Sequence, residues 1–322
     1  MFTNHDDLPH PVPPMAYLRY KENWFFIFID AASSVFGLAH FNYEPGFDRG
    51  RVSCNLVVQG QLIKYANQFS FPRDFAYSPH IGDDKLKMTF VEPYAHMHLS
   101  LTHPDVSIEL AFRGAAPPFD FQAYEAANPE KPRAQEIINF ATNQEFHHQQ
   151  QAMTIAGSVT LREGNRKIAL DGLGYRDHSR GMRADNLLQA HLWTFLYFPS
   201  AVFAVMSVTG RFRPGTTAMG GYMHDAGGMR SLGDIEIVCH GERADKLPGK
   251  IEFNVADVYG KFHSIVADVD NRLGHVPLVV EASGAGGFGY TVIENFCPVL
   301  HRETGETGYA LVEIGFSTLA GK

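Results

Sequence analysis

The chain has 322 residues, a formal charge of −8 and an isoelectric point near 6.0, with 45% hydrophobic and 12% aromatic residues. This composition is ample for one large or two medium globular domains. The acidic balance and the lack of a lysine-arginine block argue against nucleic acid or an anionic membrane surface as a partner.

The spacing of the cysteines and the first residues of the chain indicate the cellular compartment. Cys54, Cys239 and Cys297 are far apart and form no Cys-x-x-Cys pair, which argues against a disulfide framework or a zinc knuckle. The first residues lack the basic and apolar regions of a secretory signal, and no stretch reaches the roughly 18 apolar residues of a membrane span. We therefore expect a cytoplasmic protein.

The first module is predicted to begin after an extended arm. Residues 1–15 are polar and rich in proline, which favours an arm over a helix; such arms often lie across a neighbouring surface, so a homodimer stays open. Residues 24–30 are an apolar, aromatic run typical of a strand buried on both faces. Further runs bounded by glycine and proline turns predict strands at 34–41, 51–58, 85–91, 96–102, 106–112, 152–161 and 166–170.

The rest of the chain has the same character. Residues 114–135 are rich in alanine and proline and predict a long connection with at most one short helix. A second set of strands is predicted at 191–198, 201–208, 220–224, 234–239, 250–255 and 278–281. Short strands at about 8–12-residue spacing with few helical periods indicate barrels or sandwiches. We expect two domains, at 1–183 and 184–322.

The stretch from Asp171 to Arg183 carries acids, an imidazole, a phenol, a hydroxyl and guanidinium groups between glycines. Ionisable groups at this density must reach water or find buried partners. In a strand, side chains alternate between the faces. One face then receives Tyr175, Asp177 and Ser179, and the other receives Arg176, His178 and Arg180.

Alternation has a direct chemical consequence for this stretch. An unbroken pleat separates Asp177 from His178, so the expected couples are Tyr175 with Asp177 or Arg176 with His178. A bulge near a flanking glycine would rearrange them. The structural alternative is a corner in which Asp177 caps a turn and the arginines bind loop carbonyls.

The run Gly-x-Gly-Tyr-Arg-Asp-His-Ser-x-Gly-x-Arg at 172–183 resembles the central motif of the family grouped with carotenoid 1,2-hydratase (hydroxyneurosporene synthase). Similar segments lie at His10-Pro11, 22–26, 146–150, 157–161 and 308–313. The resemblance implies an all-β fold of two tandem lipocalin-like antiparallel barrels. Its characterised members hydrate isoprenoid or prenyl double bonds or cyclise polyketide-type compounds. Arg180 stands where the family usually has tryptophan, so one aromatic wall of the implied pocket is missing or supplied elsewhere.

Metal, covalent and cofactor chemistry are not favoured by the motifs. His96 and His98 have a spacing that metals use, but no third ligand has a fixed spacing to them, and His147 and His148 point to opposite faces. Ser179 has no nucleophile elbow and no neighbour that can take its proton. The glycine-rich run 282–289 lacks the strand–loop–helix frame of a dinucleotide site. We expect no metal, nucleotide, flavin or haem.

Acid–base chemistry remains. The candidate catalytic residues are Asp177, His178, Tyr175 and His148. The candidate ligand-binding residues, with the aromatic ones expected to line an apolar barrel mouth, are Arg176, Trp193, Phe195, Tyr197 and Tyr222. An apolar mouth can keep a carboxylic acid protonated near neutrality. Two functions stay open, namely a cofactor-independent hydratase, lyase, isomerase or cyclase acting on a hydrophobic isoprenoid or aromatic compound, and a lipocalin-like carrier of such a compound.

Overall fold

A computed structural model describes residues 3–14, 18, 20–123, 146–182, 188–210, 217–281 and 288–319. Strands account for 69% of this structure and helix for 5%. Among the described residues, no helix is long and apolar enough to cross a bilayer. The prediction of an all-β chain with little helix is confirmed.

The strands alternate with short turns along the chain. They are β1 (Tyr20–Asp30), β2 (Val35–Glu44), β3 (Arg49–Val58), β4 (Gln61–Phe69), β5 (His80–Gly82), β6 (Leu86–Glu92), β7 (His96–Thr102), β8 (Val106–Gly114), β9 (Phe119–Asp120), β10 (Phe146–Leu161), β11 (Arg166–Met182), β12 (Leu188–Tyr197), β13 (Ala201–Gly210), β14 (Thr217–Asp225), β15 (Gly228–His240), β16 (Lys250–Asp257), β17 (Phe262–Asp268), β18 (Gly274–Glu281), β19 (Phe288–His301) and β20 (Thr307–Leu319). The 3-10 turns are Asn4–Asp6, Pro45–Phe47 and Glu163–Asn165.

The described residues divide into two compact units. The N-terminal unit contains the described residues up to Asp120 together with 146–182, and the C-terminal unit contains Phe121–Ala123 and the described residues from 188 onward. Of the connection predicted at 114–135, the part after residue 123 lies outside the described residues.

The N-terminal unit is a curled half-barrel. Its antiparallel sheet has the strand order β4-β3-β2-β1-β11-β10-β8-β7-β6-β5, and β9 pairs with β10. Trp24, Phe26 and Phe28 on β1 pack with Phe41 and Phe112 in its core. The ring of Phe28 lies over its cross-strand partner Gly37, where an added Cβ would come within 2.1 Å of the ring. Only glycine fits at that position.

The C-terminal unit is a closed barrel of eight strands. The strand order β17-β16-β15-β14-β13-β12-β20-β19 returns to its start because β17 also pairs with β19, and β18 pairs with the other side of β19. The closing ladder consists of Ile265 with His301, Val266 with Leu300 and Ala267 with Val299. The two sheets together are consistent with the predicted tandem lipocalin-like barrels.

Candidate active site

The central stretch lies on β11, between β10 and β1 in the N-terminal unit. Both ladders keep a continuous register through it, with Asp177 opposite Gln150 on β10 and opposite Phe25 on β1. The flanking glycines therefore introduce no bulge there, and the alternation of side chains applies along the whole motif.

One face of β10 and β11 carries four connected polar side chains. The hydroxyl of Tyr175 donates to Gln150 Oε1 at 2.9 Å, and Gln150 Nε2 donates to Asp177 Oδ2 at 3.1 Å. His148 Nε2 makes a short hydrogen bond to the same Asp177 oxygen. Gln150 and Tyr175 are completely buried, and His148 and Asp177 are each 7% exposed. The buried carboxyl group of Asp177 is thus bound directly by His148 and Gln150, and Tyr175 anchors Gln150.

The chemistry of the groups fixes the direction of these bonds. An amide donates only through nitrogen, so Gln150 turns its oxygen to the Tyr175 hydroxyl and its nitrogen to the carboxylate. The proton between His148 and Asp177 can reside on either partner, because a carboxylate and an imidazole nitrogen both accept a proton. This pair can therefore give up one proton and take one back, while Gln150 and Tyr175 hold the carboxyl group in place.

The opposite face of β11 carries Arg176 and His178 in a separate environment. Arg176 and Asp7 form an ion pair between fully buried side chains. Asp7 also accepts the Tyr94 backbone N–H at 2.6 Å, and the guanidinium lies 4.9 Å from the centre of the Tyr94 ring. The arm is thus bound to the core face of β11 through one buried aspartate.

His178 belongs to a second buried cluster that also reaches the arm. It stacks on Trp24 with ring centres 4.5 Å apart and contacts Glu22 Oε1 at 2.9 Å. Burial lowers the pKa of His178 to about 4, although the neighbouring Glu22 acts in the opposite direction. The ring of His10 contacts the same glutamate oxygen at 2.7 Å, while the His10 backbone N–H and the Tyr20 hydroxyl donate to the other oxygen.

Glu22 is the group around which this cluster forms. Burial alone would raise its pKa, but the hydrogen bonds from His10 and His178 hold the pKa below the ordinary value. Within the described residues, His10, Glu22 and His178 are the set whose ligand atoms lie close enough to share a metal ion. Four hydrogen-bond donors already satisfy the Glu22 carboxylate, however, so these residues form a hydrogen-bonded cluster, called the clasp below. His98, by contrast, contacts Glu109 at 3.2 Å on an exposed strand face.

The four aromatic residues predicted to bind ligand lie on one face of the C-terminal barrel. Trp193, Phe195 and Tyr197 alternate along β12 with the core residue Leu196, and Tyr222 on β14 precedes the core residue Met223. They are all buried, but on the face of the barrel wall that points away from its interior core. Their role in binding a ligand stays a prediction, and the structure adds that their side chains lie on the outer face of the barrel wall rather than in its interior core.

The structure adds residues that the sequence did not indicate. Gln150 joins Tyr175 to Asp177. It could have been predicted from its position two residues after His148, because alternation in a strand puts residues 148 and 150 on the same face. Asp7 could not be found in this way, since its partner Arg176 is 169 positions further along the sequence.

Comparison with known proteins supports the fold. An AttH-like protein from Nitrosomonas europaea has a TM-score of 0.65 at 11% identity, covering 96% of this chain and 93% of its own. CghA, solved with Sch210972, has a TM-score of 0.63 at 11% identity, covering 98% and 96%. Kievitone hydratase from Nectria haematococca has a TM-score of 0.57 at 12% identity, covering 92% and 89%. No curated protein matches the chain in sequence. A family model described as "Domain of unknown function (DUF7064)" matches residues 3–317, and the chain belongs to that family.

Proposed function

We propose that this protein is a cofactor-independent acid–base enzyme of the hydratase, lyase, isomerase or cyclase type, acting on a hydrophobic isoprenoid or aromatic molecule. The observation that carries the proposal is the buried chain from Tyr175 through Gln150 and Asp177 to His148. The fold similarity to a kievitone hydratase and to CghA supports the same class of chemistry, as does the motif resemblance to carotenoid 1,2-hydratase.

The roles follow from the bonding. In hydration, the proton held between Asp177 and His148 passes to one carbon of the double bond, and a water oxygen bonds to the other carbon. The proton that the water loses returns to the same pair, so the enzyme ends unchanged. Dehydration is the reverse, and isomerisation uses the two proton transfers without the water. Tyr175 and Gln150 are positioning residues that fix the carboxyl group.

We assign His178 and Arg176 to structure rather than to chemistry. Each is bonded to an acid on the core face of the sheet, on the side away from Asp177. The Asp177→Asn variant keeps the shape of the side chain and its hydrogen bond from Gln150, but it removes the exchangeable proton. His178→Gln leaves the acid–base pair intact and removes one donor from buried Glu22.

The test is a product screen with matched variants. Purified protein is incubated with prenylated phenols, open-chain isoprenoids and polyketide-type polyenes, and mass spectrometry detects gain or loss of one water or a new isomer. For any substrate found, Asp177→Asn should lower kcat about a hundredfold or more at unchanged Tm, whereas His178→Gln should lower Tm and leave kcat within about threefold. Compounds that bind without turnover would identify a carrier and overturn the proposal.

A further inference from the structure

Two groups of imidazole contacts join strands of the C-terminal unit. In the first, His191 lies opposite Gly315 on β20, and its ring extends over that glycine to contact Glu313 and Tyr290. A Cβ added at Gly315 would come within 2.1 Å of the imidazole, so the ring can span the middle strand only because position 315 has no side chain. This group joins β12, β20 and β19, which long ladders already hold together.

The second group lies at the seam where the barrel closes. The ladder between β17 and β19 is the shortest one of the barrel among the described strands. His301 on β19 stands opposite Ile265 of β17, and His263 precedes Ile265 by two residues, on the same face of β17. The two imidazoles are stacked with ring centres 5.2 Å apart, and His263 Nδ1 lies 3.0 Å from His301 Nε2. They add a side-chain contact where the backbone pairing is weakest.

The bonding around His301 fixes the protons of both rings. The Thr304 hydroxyl donates to Glu306 Oε2 at 3.3 Å, and its oxygen lies 2.7 Å from His301 Nδ1. Because a hydroxyl has only one proton to donate, His301 must donate its Nδ1–H to Thr304. Neutral His301 then accepts through Nε2, and the donor is the Nδ1–H of His263. In the neutral pair, both rings therefore carry their proton on Nδ1.

Neither ring can take a second proton without disturbing the seam. A proton added to His301 goes to Nε2, where it meets the Nδ1–H of His263. A proton added to His263 goes to its Nε2, a buried atom with no hydrogen-bond partner among the described residues. Both imidazoles are buried, and the rings of Phe198 and Phe203 pack against them. Burial lowers the pKa of both histidines, and the neighbouring His301 lowers that of His263 further.

The charged groups around the pair do not reverse this effect. Those that act on the two rings come from the end of β16, the turn before β17 and the turn after β19, and they are Asp257, Lys261, Glu303 and Glu306. The lysine lowers the pKa of both rings, and the carboxylates raise it. Each carboxylate already accepts a hydrogen bond, from Arg230, from the Ser264 backbone N–H and from the Ser200 hydroxyl respectively. Glu252 on β16 is paired with Arg302. Burial remains the largest effect, so the closed seam favours neutral imidazoles.

We propose that His263 and His301 form a pH-sensitive latch, which holds the seam between β17 and β19 closed while both rings are neutral and lets it open in mild acid. In the open form both rings reach water, where they titrate near their ordinary pKa of 6.5. The open form therefore binds more protons, so the free energy that favours closure is full above pH 6.5 and falls as the pH drops below it. Opening converts the closed barrel into an open sheet. The proposal is independent of the function assigned to Asp177 and His148, because it uses none of their contacts.

The first test examines the proton positions in the wild type at neutral pH. In protein labelled with ¹⁵N at histidine, NMR correlations between the ring nitrogens and the carbon-bound ring protons distinguish the two neutral tautomers. The signals are assigned with His263→Asn and His301→Asn. Both rings should be in the Nδ1–H form. Either ring in the Nε2–H form, or charged at neutral pH, would overturn the proposal.

The second test follows the seam from neutral pH down to about pH 5, where His178, with a pKa of about 4, is still neutral. Amide exchange measured by mass spectrometry, corrected for the effect of pH on intrinsic exchange, gives protection factors for a seam peptide, 262–268, and for a β12 peptide, 190–197. The seam peptide should lose up to about tenfold in protection per pH unit for each imidazole. The β12 peptide should stay within about threefold, because long ladders pair it on both sides.

A matched pair of variants links any opening to the latch. His263→Asn removes one titrating ring and places an amide N–H near the position of Nδ1–H, so the loss at the seam should fall to that of a single imidazole. His224→Asn, a half-buried position on β14, should behave like the wild type. The two wild-type peptides decide the question even where His263→Asn does not fold. A seam that keeps its protection in acid, equal losses in both peptides, or an unchanged loss in folded His263→Asn would each contradict the proposal.

Discussion

At the scale of residues, neighbouring positions of β11 have different bonding partners. Tyr175 and Asp177 are joined through Gln150, while Arg176 and His178 bind the acids Asp7 and Glu22 on the other face. Alternation alone separates them, because successive side chains of a strand project to opposite sides. We therefore propose different roles for the adjacent residues Asp177 and His178, one in catalysis and one in structure.

Two buried tyrosines provide a matched test of this separation. Tyr175→Phe removes the donor to Gln150, and Tyr20→Phe removes a comparable donor, 3.1 Å from Glu22. We expect both to lower the free energy of unfolding by about 1 kcal/mol in denaturant titrations. Only Tyr175→Phe should also lower turnover, by about tenfold, because Gln150 loses its anchor beside Asp177. Equal turnover in the two variants would remove Tyr175 from the site.

At the scale of elements, the N-terminal arm is bound to the half-barrel at several points. Asp7 pairs with Arg176, the Asp7 carbonyl accepts the indole N–H of Trp24 at 3.4 Å, and the Pro9 carbonyl accepts the Tyr77 N–H at 2.6 Å. His10 adds the contact to Glu22. Because these partners lie on different strands and turns, the arm acts as a strap that joins them.

Removing only one partner of the buried Asp7–Arg176 ion pair should lower the free energy of unfolding strongly. Asp7→Asn leaves the charge of Arg176 buried without its counter-ion, and we expect a loss of about 3–5 kcal/mol in unfolding free energy. The Asp7→Asn/Arg176→Gln double variant should lose less than the sum of the two single variants. Asp74→Asn, on an exposed position of the same unit, should stay within about 0.5 kcal/mol. Additive losses would show that the pair is not coupled.

The clasp around Glu22 predicts a loss of stability in mild acid. The pKa of His178 is about 4 in the folded chain and about 6.5 when exposed, so between these values the unfolded chain binds more protons. The free energy of unfolding should therefore be fully retained above pH 6.5 and fall as the pH drops toward 4, by up to about 1.4 kcal/mol per pH unit.

Substitutions can separate the contribution of His178 to the pH dependence of stability from those of other histidines. His263 and His301 in the C-terminal unit also have pKa values that burial lowers, so they act in the same direction. The quantity to measure is the difference in pH slope between wild type and His178→Gln, with exposed His98→Gln as control. Identical slopes in wild type and His178→Gln would contradict the prediction.

Sequence patterns predicted many of the strands that alternate or are wholly apolar, and they predicted the two faces of the central motif. They missed β4, whose side chains are mostly exposed and carry little periodicity, and also β5, β9, β17, β19 and β20. They also ended the strand before the motif, whereas β11 runs from Arg166 through to Met182. The bonding partners of Asp177 and Arg176 depend on strand pairing, which local patterns do not contain. The position of the aromatic residues on the barrel wall depends on which face closes inward, and that is set by the whole sheet.

At the scale of the whole molecule, two similar sheets differ in whether they close. The C-terminal sheet closes through the short ladder between β17 and β19, whereas the N-terminal sheet ends in β4 on one side and β5 on the other. A closed sheet pairs both edges of each strand, while an end strand leaves half of its N–H groups without a ladder partner. We therefore expect the end strands of the N-terminal sheet to unfold locally more readily than the strands of the closed barrel.

Amide hydrogen exchange can measure that difference. A peptide covering β4, 61–69, should lose protection well before a peptide covering β16, 250–257, because β16 is paired on both sides within the closed barrel. Mass spectrometry of exchange at neutral pH gives both rates in one experiment. Similar protection in the two peptides would mean that another surface covers the β4 edge.

Gly315 carries a consequence for the evolution of the family. The His191 ring occupies the volume that any larger residue at 315 would need, so the two positions are not free to vary independently. In an alignment of related sequences, histidine at position 191 should therefore occur together with glycine at position 315. Homologues with a bulkier residue at 315 should lack histidine at 191. These two alignment columns would therefore separate the homologues that keep the contacts of His191 with Tyr290 and Glu313 from those that do not.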